Sequence, residues 1–301
     1  MNTQDTGRQP TGMDQVLQFS IPARDARGRA VRFGSVLNQI LAAHDYPPPV
    51  KAVLTEALVL TALMGSLLKE EDSQLTVQAQ SPGGAIELLV CDYRNGELRG
   101  YARHDADRVA VLPPVPVLED MFDGGHLAIT FDLPATGERY QGVVPLEGDV
   151  LAEAVEAYFV RSEQVPTLIR VAVAQRGADT IAGGLLVQHL PDGEDGRERL
   201  HVQMDHVEWE HVSILAGSIR SDELTDPDLS LEQLTWRLFH EEEEVRVLPG
   251  TRFSRGCRCS IVHFEDVLSR FPAEDRREMR DDNGIILVDC AFCSKEFAIQ
   301  D

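Results

Sequence analysis

The chain reads RGCRCS at 255–260 and DCAFCS at 289–294, so four of its five cysteines fall in two tight pairs within 37 residues. Metal, disulfides and chance are the three ways to account for such crowding. In a reducing compartment, paired cysteines are more often metal ligands or redox groups than structural bridges. Zinc prefers four tetrahedral thiolate or imidazole ligands, and a C-x-x-C knuckle lets two ligands from one turn reach one ion. A C-x-C pair does the same from an extended segment, where residues i and i+2 face one side. Cys257, Cys259, Cys290 and Cys293 are therefore a candidate four-thiolate site for one Zn2+ per chain. With four thiolates in hand, His263 is not needed as a ligand.

The rest of the chain narrows the setting. Its N-terminus, MNTQDTGRQPTGMDQVLQF, is polar and has no basic region followed by an apolar run, so a cytoplasmic location is expected. The longest uncharged apolar stretch, Ala57 to Leu68, is too short to cross a bilayer, and no membrane partner is expected. A net charge of −22 argues against nucleic acid, whose phosphates call for Lys and Arg. The chain has no phosphate-cradling G-x-x-x-x-G-K-[ST], no G-x-G-x-x-G and no G-x-S-x-G, so neither a nucleotide nor a serine nucleophile is expected. The HEEEE at 240–244 lacks the second His of a zinc protease and reads as a solvated acidic run.

Charge also divides the chain. Asp192 to Gly250 carries 16 Asp/Glu against 5 Lys/Arg, whereas Thr251 to Asp301 carries 10 against 8. Three units are expected: an α+β core over 1–191, an acidic helical linker over 192–250 and a small zinc-binding unit over 251–301. In the core, two helices are predicted within 35–71, separated by Pro47, Pro48 and Pro49, the second apolar on most of its circumference and hence internal. Alternating strands are predicted at 74–80, 85–91 and 97–103, with Asn95-Gly96 as a hairpin turn. A second hairpin around PATGE (134–138), a helix over 151–161 and strands near 168–174 and 180–188 complete this mixed helix/antiparallel-sheet unit. Cys91, at the end of an apolar strand, reads as a core residue.

In the linker, Asp205 with Glu208 and Ser230 with Gln233 carry capping-box spacing ahead of narrow apolar stripes. His201, His206 and His211 fan around a helix and read as solvated. Mutual repulsion should leave these helices marginally docked. The final fifty residues have little apolar content, and a segment of that size rarely folds without a metal or disulfide. Bound thiolates are also the form that oxidants attack. The residues alone thus suggest a redox-sensitive metal switch beside a metastable linker.

These features resemble the 33-kDa heat-shock family of redox-regulated chaperones. Besides the cysteine pairs, GGHLAITFD (124–132), GERYQGVVPLEGD (137–149), YFVRSEQVPT (158–167), AGGLLVQHLP (182–191) and RLFHEE (237–242) are similar to family blocks in family order. Two segments depart from the family pattern: FSRGCRC spaces Phe253 further from the first cysteine, and SIVHFEDVL (260–268) lacks Arg-Glu-Arg after the C-x-C. The resemblance implies an ATP-independent holdase, not an enzyme, that is inactive while reduced and zinc-bound. Oxidation of Cys257, Cys259, Cys290 and Cys293 would release zinc, unfold the C-terminal unit, destabilise the linker, favour a homodimer and expose apolar surface to unfolding client proteins. Loop length favours closure of Cys257 with Cys259 and of Cys290 with Cys293. Two other readings stand beside this one: a thiol-disulfide oxidoreductase using Cys290 and Cys293, and an acidic interaction module with a purely structural zinc site.

Overall fold

A computed structural model describes residues 12–190 and 207–300. The chain opens with strands β1 (Gln15–Ile21) and β2 (Ala26–Phe33), which the sequence pattern does not announce. Helices α1 (Ser35–Leu41) and α2 (Pro48–Gly65) follow, with Pro48 and Pro49 in the first turn of α2, where no amide donor is missed. A meander of β3 (Gln74–Gln80), β4 (Ile86–Arg94) and β5 (Glu97–His104) comes next, and Asn95 and Gly96 take the positive φ values of a tight turn, 50° and 84°. Short helices α3 (Ala106–Ala110) and α4 (Leu118–Phe122) lead to the hairpin of β6 (His126–Leu133) and β7 (Glu138–Pro145). Helix α5 (Leu151–Tyr158) runs into a π turn, and β8 (Thr167–Arg176) and β9 (Asp179–His189) form the last hairpin before 190.

Helix α2 lies between two sheets, touching β2, β8 and β9 on one side and β3, β4 and β5 on the other. Its 18 residues are apolar enough to span a bilayer by length and composition, yet 72% of them are buried inside the protein. Leu54, Leu58, Leu60, Leu63 and Met64 all join the main core. Each such side chain contributes roughly 1.5–3 kcal/mol on burial, so the helix is held as a core element. The sheet beyond β3–β5 continues through β6 to β7, all antiparallel.

The other sheet has the order β1, β2, β9, β8, and its two faces have different partners. Val31, Phe33, Ala182 and Leu186 pack into the main core. Ala26, Ala30, Leu185 and Val187 point away from it and are covered by α6 (Val207–Gly217), α7 (Ser221–Leu224) and α8 (Leu231–Phe239). These helices present Val212, Ala216, Leu224, Leu231, Leu234 and Phe239 to that face. Ser230 and Gln233 cap α8 reciprocally, Ser230 Oγ accepting from Gln233 N–H at 3.1 Å and Gln233 Oε1 from Ser230 N–H at 3.0 Å. Asp205, His201 and His206 lie outside the described residues.

Glu242 corrects the reading of a solvated acidic run. Its side chain is only 3% exposed, accepting from Arg24 Nε at 2.8 Å and sitting 2.7 Å from His211 Nε2. Arg24 also ion-pairs with Glu208. A cation at the start of the chain thus gathers two acids of the linker, and for Glu242 an ion pair replaces solvation, while His211 stays partly exposed. Hydrogen bonds from Arg24 and His211 outweigh the burial that would raise the Glu242 carboxyl, and hold it below its usual range.

After α8, the chain re-enters the sheets. Strand β10 (Arg246–Arg252) pairs antiparallel with β1, and β11 (Ser254–Arg255) pairs parallel with β5. Between them Phe253 enters the main core, 4.9 Å from the Phe33 ring and 6.3 Å from Tyr93. The charge balance shifts at Thr251, but the packing changes only at Gly256. Beyond that lie α9 (Ile261–Ser269), α10 (Ala273–Glu278) and the hairpin of β12 (Ile285–Asp289) and β13 (Glu296–Gln300).

Candidate metal centre

The two cysteine pairs are delivered by different kinds of backbone. Cys257 and Cys259 sit on the extended loop between β11 and α9, whose start is fixed by Ser260 Oγ accepting from His263 N–H at 3.1 Å. The His263 ring lies against Phe264, with centroids 5.5 Å apart. Cys290 and Cys293 occupy the turn of the β12–β13 hairpin. There Cys293 N–H and Ser294 N–H both donate to Cys290 C=O, at 3.2 and 2.8 Å.

All four sulfurs lie within 4.8 Å of one another. Cys257 Sγ is 3.3 Å from Cys259 Sγ and 3.5 Å from Cys290 Sγ, and Cys259 Sγ is 3.5 Å from Cys293 Sγ. Zinc–sulfur bonds of about 2.3 Å put tetrahedral sulfurs about 3.8 Å apart. The donor set and its spacing fit zinc, which would supply the positive charge that lets four sulfurs ionise side by side. Burial opposes ionisation of Cys257, but hydrogen bonding with the Cys259 N–H and the neighbouring thiols brings it down to about 7. Burial and the adjacent Cys257 push Cys259 and Cys290 up.

The unit around the sulfurs is small. Its apolar cluster has five buried members, Leu268, Ile286, Cys290, Phe297 and Ile299, backed by Phe264 and Phe292. A core of that size needs a cross-link or a metal.

This unit is also docked, and the residues between and beside the cysteines make the contacts. Phe292 lies under the Arg99 guanidinium at 4.0 Å, and Arg99 donates to Asp92 Oδ2 at 2.7 Å. Ser294 Oγ donates to Ala43 C=O at 2.6 Å, and His44 Nε2 is 2.7 Å from Ala291 C=O. Arg258 donates to Gln74. Gly256 N–H donates to Leu98 C=O at 2.9 Å, and a Cβ at Gly256 would stand 2.5 Å from that of Glu97, so the chain passes β5 there only as glycine. The sequence identifies the four sulfurs but not this docking surface, because Arg99, Gln74, Ala43 and His44 lie more than 150 residues away with no signal of their own.

Cys91 is a core residue, wholly buried, with burial and the neighbouring Asp92 pushing its thiol well up. A cavity of about 730 Å3 between α2, α5 and β8 contains no cysteine and is lined mainly by apolar side chains with Glu56, Glu153 and Glu156. Glu56 is half-buried and accepts from Ala152 N–H at 2.9 Å at the start of α5; removal from water pushes its carboxyl up to about 7.

Comparison with known proteins agrees along the whole described chain. Residues 14–300 match the family described as Hsp33 protein. The 33 kDa chaperonin of Caulobacter vibrioides (strain NA1000 / CB15N) is 40% identical over 294 residues, covering 95% of this chain and 94% of the relative. That of Shigella boydii serotype 4 is 35% identical, covering 94% and 91%. Among solved structures, the 33 kDa chaperonin (heat shock protein 33 homolog) of Thermotoga maritima has the same fold. Its TM-score is 0.75 at 21% identity, covering 95% of both chains.

Proposed function

The chain belongs to the Hsp33 family, and from that premise we propose that it is a redox-regulated holdase whose four clustered cysteines are both its zinc ligands and its sensor. In a reducing cytoplasm, Cys257, Cys259, Cys290 and Cys293 hold one zinc per chain as thiolates. The observation that carries the reading is that these sulfurs converge in a unit with almost no apolar core, spliced directly into the strands that close both sheets. Loss of the sulfur cluster removes what folds that unit, and the segments stitched to it lose an anchor.

Oxidation balances with a peroxide as the electron acceptor. Two thiolates lose two electrons and form one S–S bond, the peroxide O–O bond breaks, and two protons complete two waters. Two such steps consume all four ligands. In the folded unit both within-pair and between-pair sulfurs are close, so pairing is decided as the unit opens. The shorter loops then favour Cys257 with Cys259 and Cys290 with Cys293. The opened form binds unfolding client proteins and acts by binding, without catalysis. We propose that it does so as a homodimer assembled through the 1–191 core, with the acidic segment over 192–250 as the element released and 251–301 as the redox unit. The oxidoreductase reading is disfavoured because Cys290 and Cys293 occupy a hairpin turn, whereas a C-x-x-C redox pair opens a helix.

Suppression of aggregation of a thermally unfolding reporter enzyme tests this, with reduced and peroxide-treated protein compared and zinc release followed in the same samples. Activity should rise as zinc leaves. Equal activity in both states would refute the switch.

A further inference from the structure

The sheet face beneath the linker carries one feature that an apolar platform does not need. Arg32, on β2, is fully buried in that face, and its whole fork is used on main-chain carbonyls. Nε donates to Leu224 C=O at 2.8 Å, Nη2 donates to Glu223 C=O at 2.9 Å, and Nη1 donates to Leu229 C=O. No carboxylate hydrogen-bonds to it among the described residues, although its occupant is the most acidic part of the chain; Asp226 acts on it only through space. Glu223 and Leu224 are the last residues of α7, so Arg32 caps the carbonyl end of a helix, where orphan acceptors and the negative end of the helix dipole coincide.

Directly across the ladder from Arg32 stands Gly183. A Cβ there would lie 2.2 Å from Leu224 C=O, and the nearest atoms it would meet all belong to Leu224. The occupant's backbone is thus the first obstacle a side chain at 183 would meet. Cation and notch together form a receptor, flanked by the apolar side chains of Leu17, Ala30, Leu185 and Val187.

We infer that the Arg32–Gly183 notch is a receptor for the carbonyl end of a helical turn, that α7 occupies it as a built-in mimic, and that in the opened protein the C-terminal turn of a client helix with apolar neighbours takes its place. This rests on the holdase reading and names what its binding face selects. Folded proteins cap their helix ends, whereas partly unfolded ones present frayed turns with free carbonyls beside exposed apolar side chains. A guanidinium fork in an apolar surround discriminates the second from the first, because its five donors, removed from water, require acceptors.

The probe is a synthetic amidated peptide of residues 218–231, SIRSDELTDPDLSL, titrated into the oxidised full-length chain in competition with a fluorescent unfolding client. In the wild type the peptide should displace the client. Arg32→Met should weaken the peptide at least about tenfold, since hydrogen bonds to a charged group each contribute about that factor or more. Arg32→Lys should restore part of the loss. Gly183→Ala keeps the cation but fills the notch, and should weaken the peptide similarly. It should also quicken amide exchange over 221–224 in the reduced, zinc-loaded protein, because α7 can no longer seat. Zinc content and thermal unfolding of each variant establish that it folds, and Gly183→Ala serves should Arg32→Met not. Unchanged peptide affinity in a folded variant would overturn the receptor. If oxidised wild type held no client at all, the holdase reading itself would fall, a result separate from the first.

Discussion

A buried thiol and a half-buried carboxyl show how position decides what a residue does. Cys91 shares its chemistry with the four clustered cysteines, yet it is sealed in the main core with its thiol pushed well above its ordinary range. Alkylation of native, metal-stripped protein should label Cys257, Cys259, Cys290 and Cys293 and leave Cys91 untouched, which peptide mapping would read directly. Cys290→Ser should abolish tight zinc binding by metal analysis, whereas Cys91→Ala should leave it at one ion per chain. Glu56 supplies the second case, since its folded pKa of about 7 stands above its ordinary 4.5. A carboxyl raised in this way binds its proton more tightly in the folded state. The folded state is therefore unpenalised below pH 4.5 and loses stability as pH rises from there through 7, by on the order of 3 kcal/mol. Glu56→Gln keeps an acceptor for Ala152 N–H without the charge. Thermal unfolding at pH 5 and pH 8 should show a larger gap for wild type than for Glu56→Gln, with the variant the more stable at pH 8.

At the scale of elements, what could be read in advance was periodic and local. The all-round apolar pattern of α2 places it inside, the alternation in 74–104 gives the meander, and Ser230 with Gln233 starts α8 where the spacing says. What escaped was hidden by charge or by distance. Strand β2, ARGRAVRF, places arginines at 27, 29 and 32 in a segment packed on both faces, so neither alternation nor an apolar run survives. Strand β10 exposes most of its length and exists because β1 offers it an edge. Glu242 is buried by Arg24, 218 residues earlier. The linker helices were expected to be marginally docked, and the surface they dock on, the outer face of the β1–β2–β9–β8 sheet, was not foreseen. The clasp of Arg24 with Glu208 and Glu242 belongs to that docking. Arg24→Ala should cost it about 2 kcal/mol, the typical size for a hydrogen bond to a charged group. Hydrogen exchange in 207–217 should quicken in the reduced variant, while exchange in α2 stays as in wild type. Unchanged exchange in α6 would show that the apolar contacts alone hold it.

Across the whole molecule, the main core, the linker cluster and the zinc unit are three apolar clusters of decreasing size on one continuous chain. That order predicts the order of opening. After oxidation, amide protection should vanish first over 257–300, then over β10 and β11, then over 207–239, with α2 and β3–β6 protected throughout; loss of protection in α2 before α8 would contradict it. The four sulfurs were legible from spacing alone because metal chemistry is local, whereas the strands that carry their state inward are made by pairing that no short stretch of sequence encodes. Phe253 then sets a geometry for the return journey. Wedged between Phe33 and Tyr93, it stands four residues before Cys257, a span of at most about 14 Å even when fully extended. Until β10 and β11 part, Cys257 and Cys259 thus stay moored beside the core, while Cys290 and Cys293 ride more than thirty residues farther out. One half of the sensor is a fixed landing place and the other a free end, and the short mooring keeps their mutual concentration high. Once reductant and zinc return, the ion should be met first by the near pair, and closure of the far pair onto it should be intramolecular and independent of protein concentration.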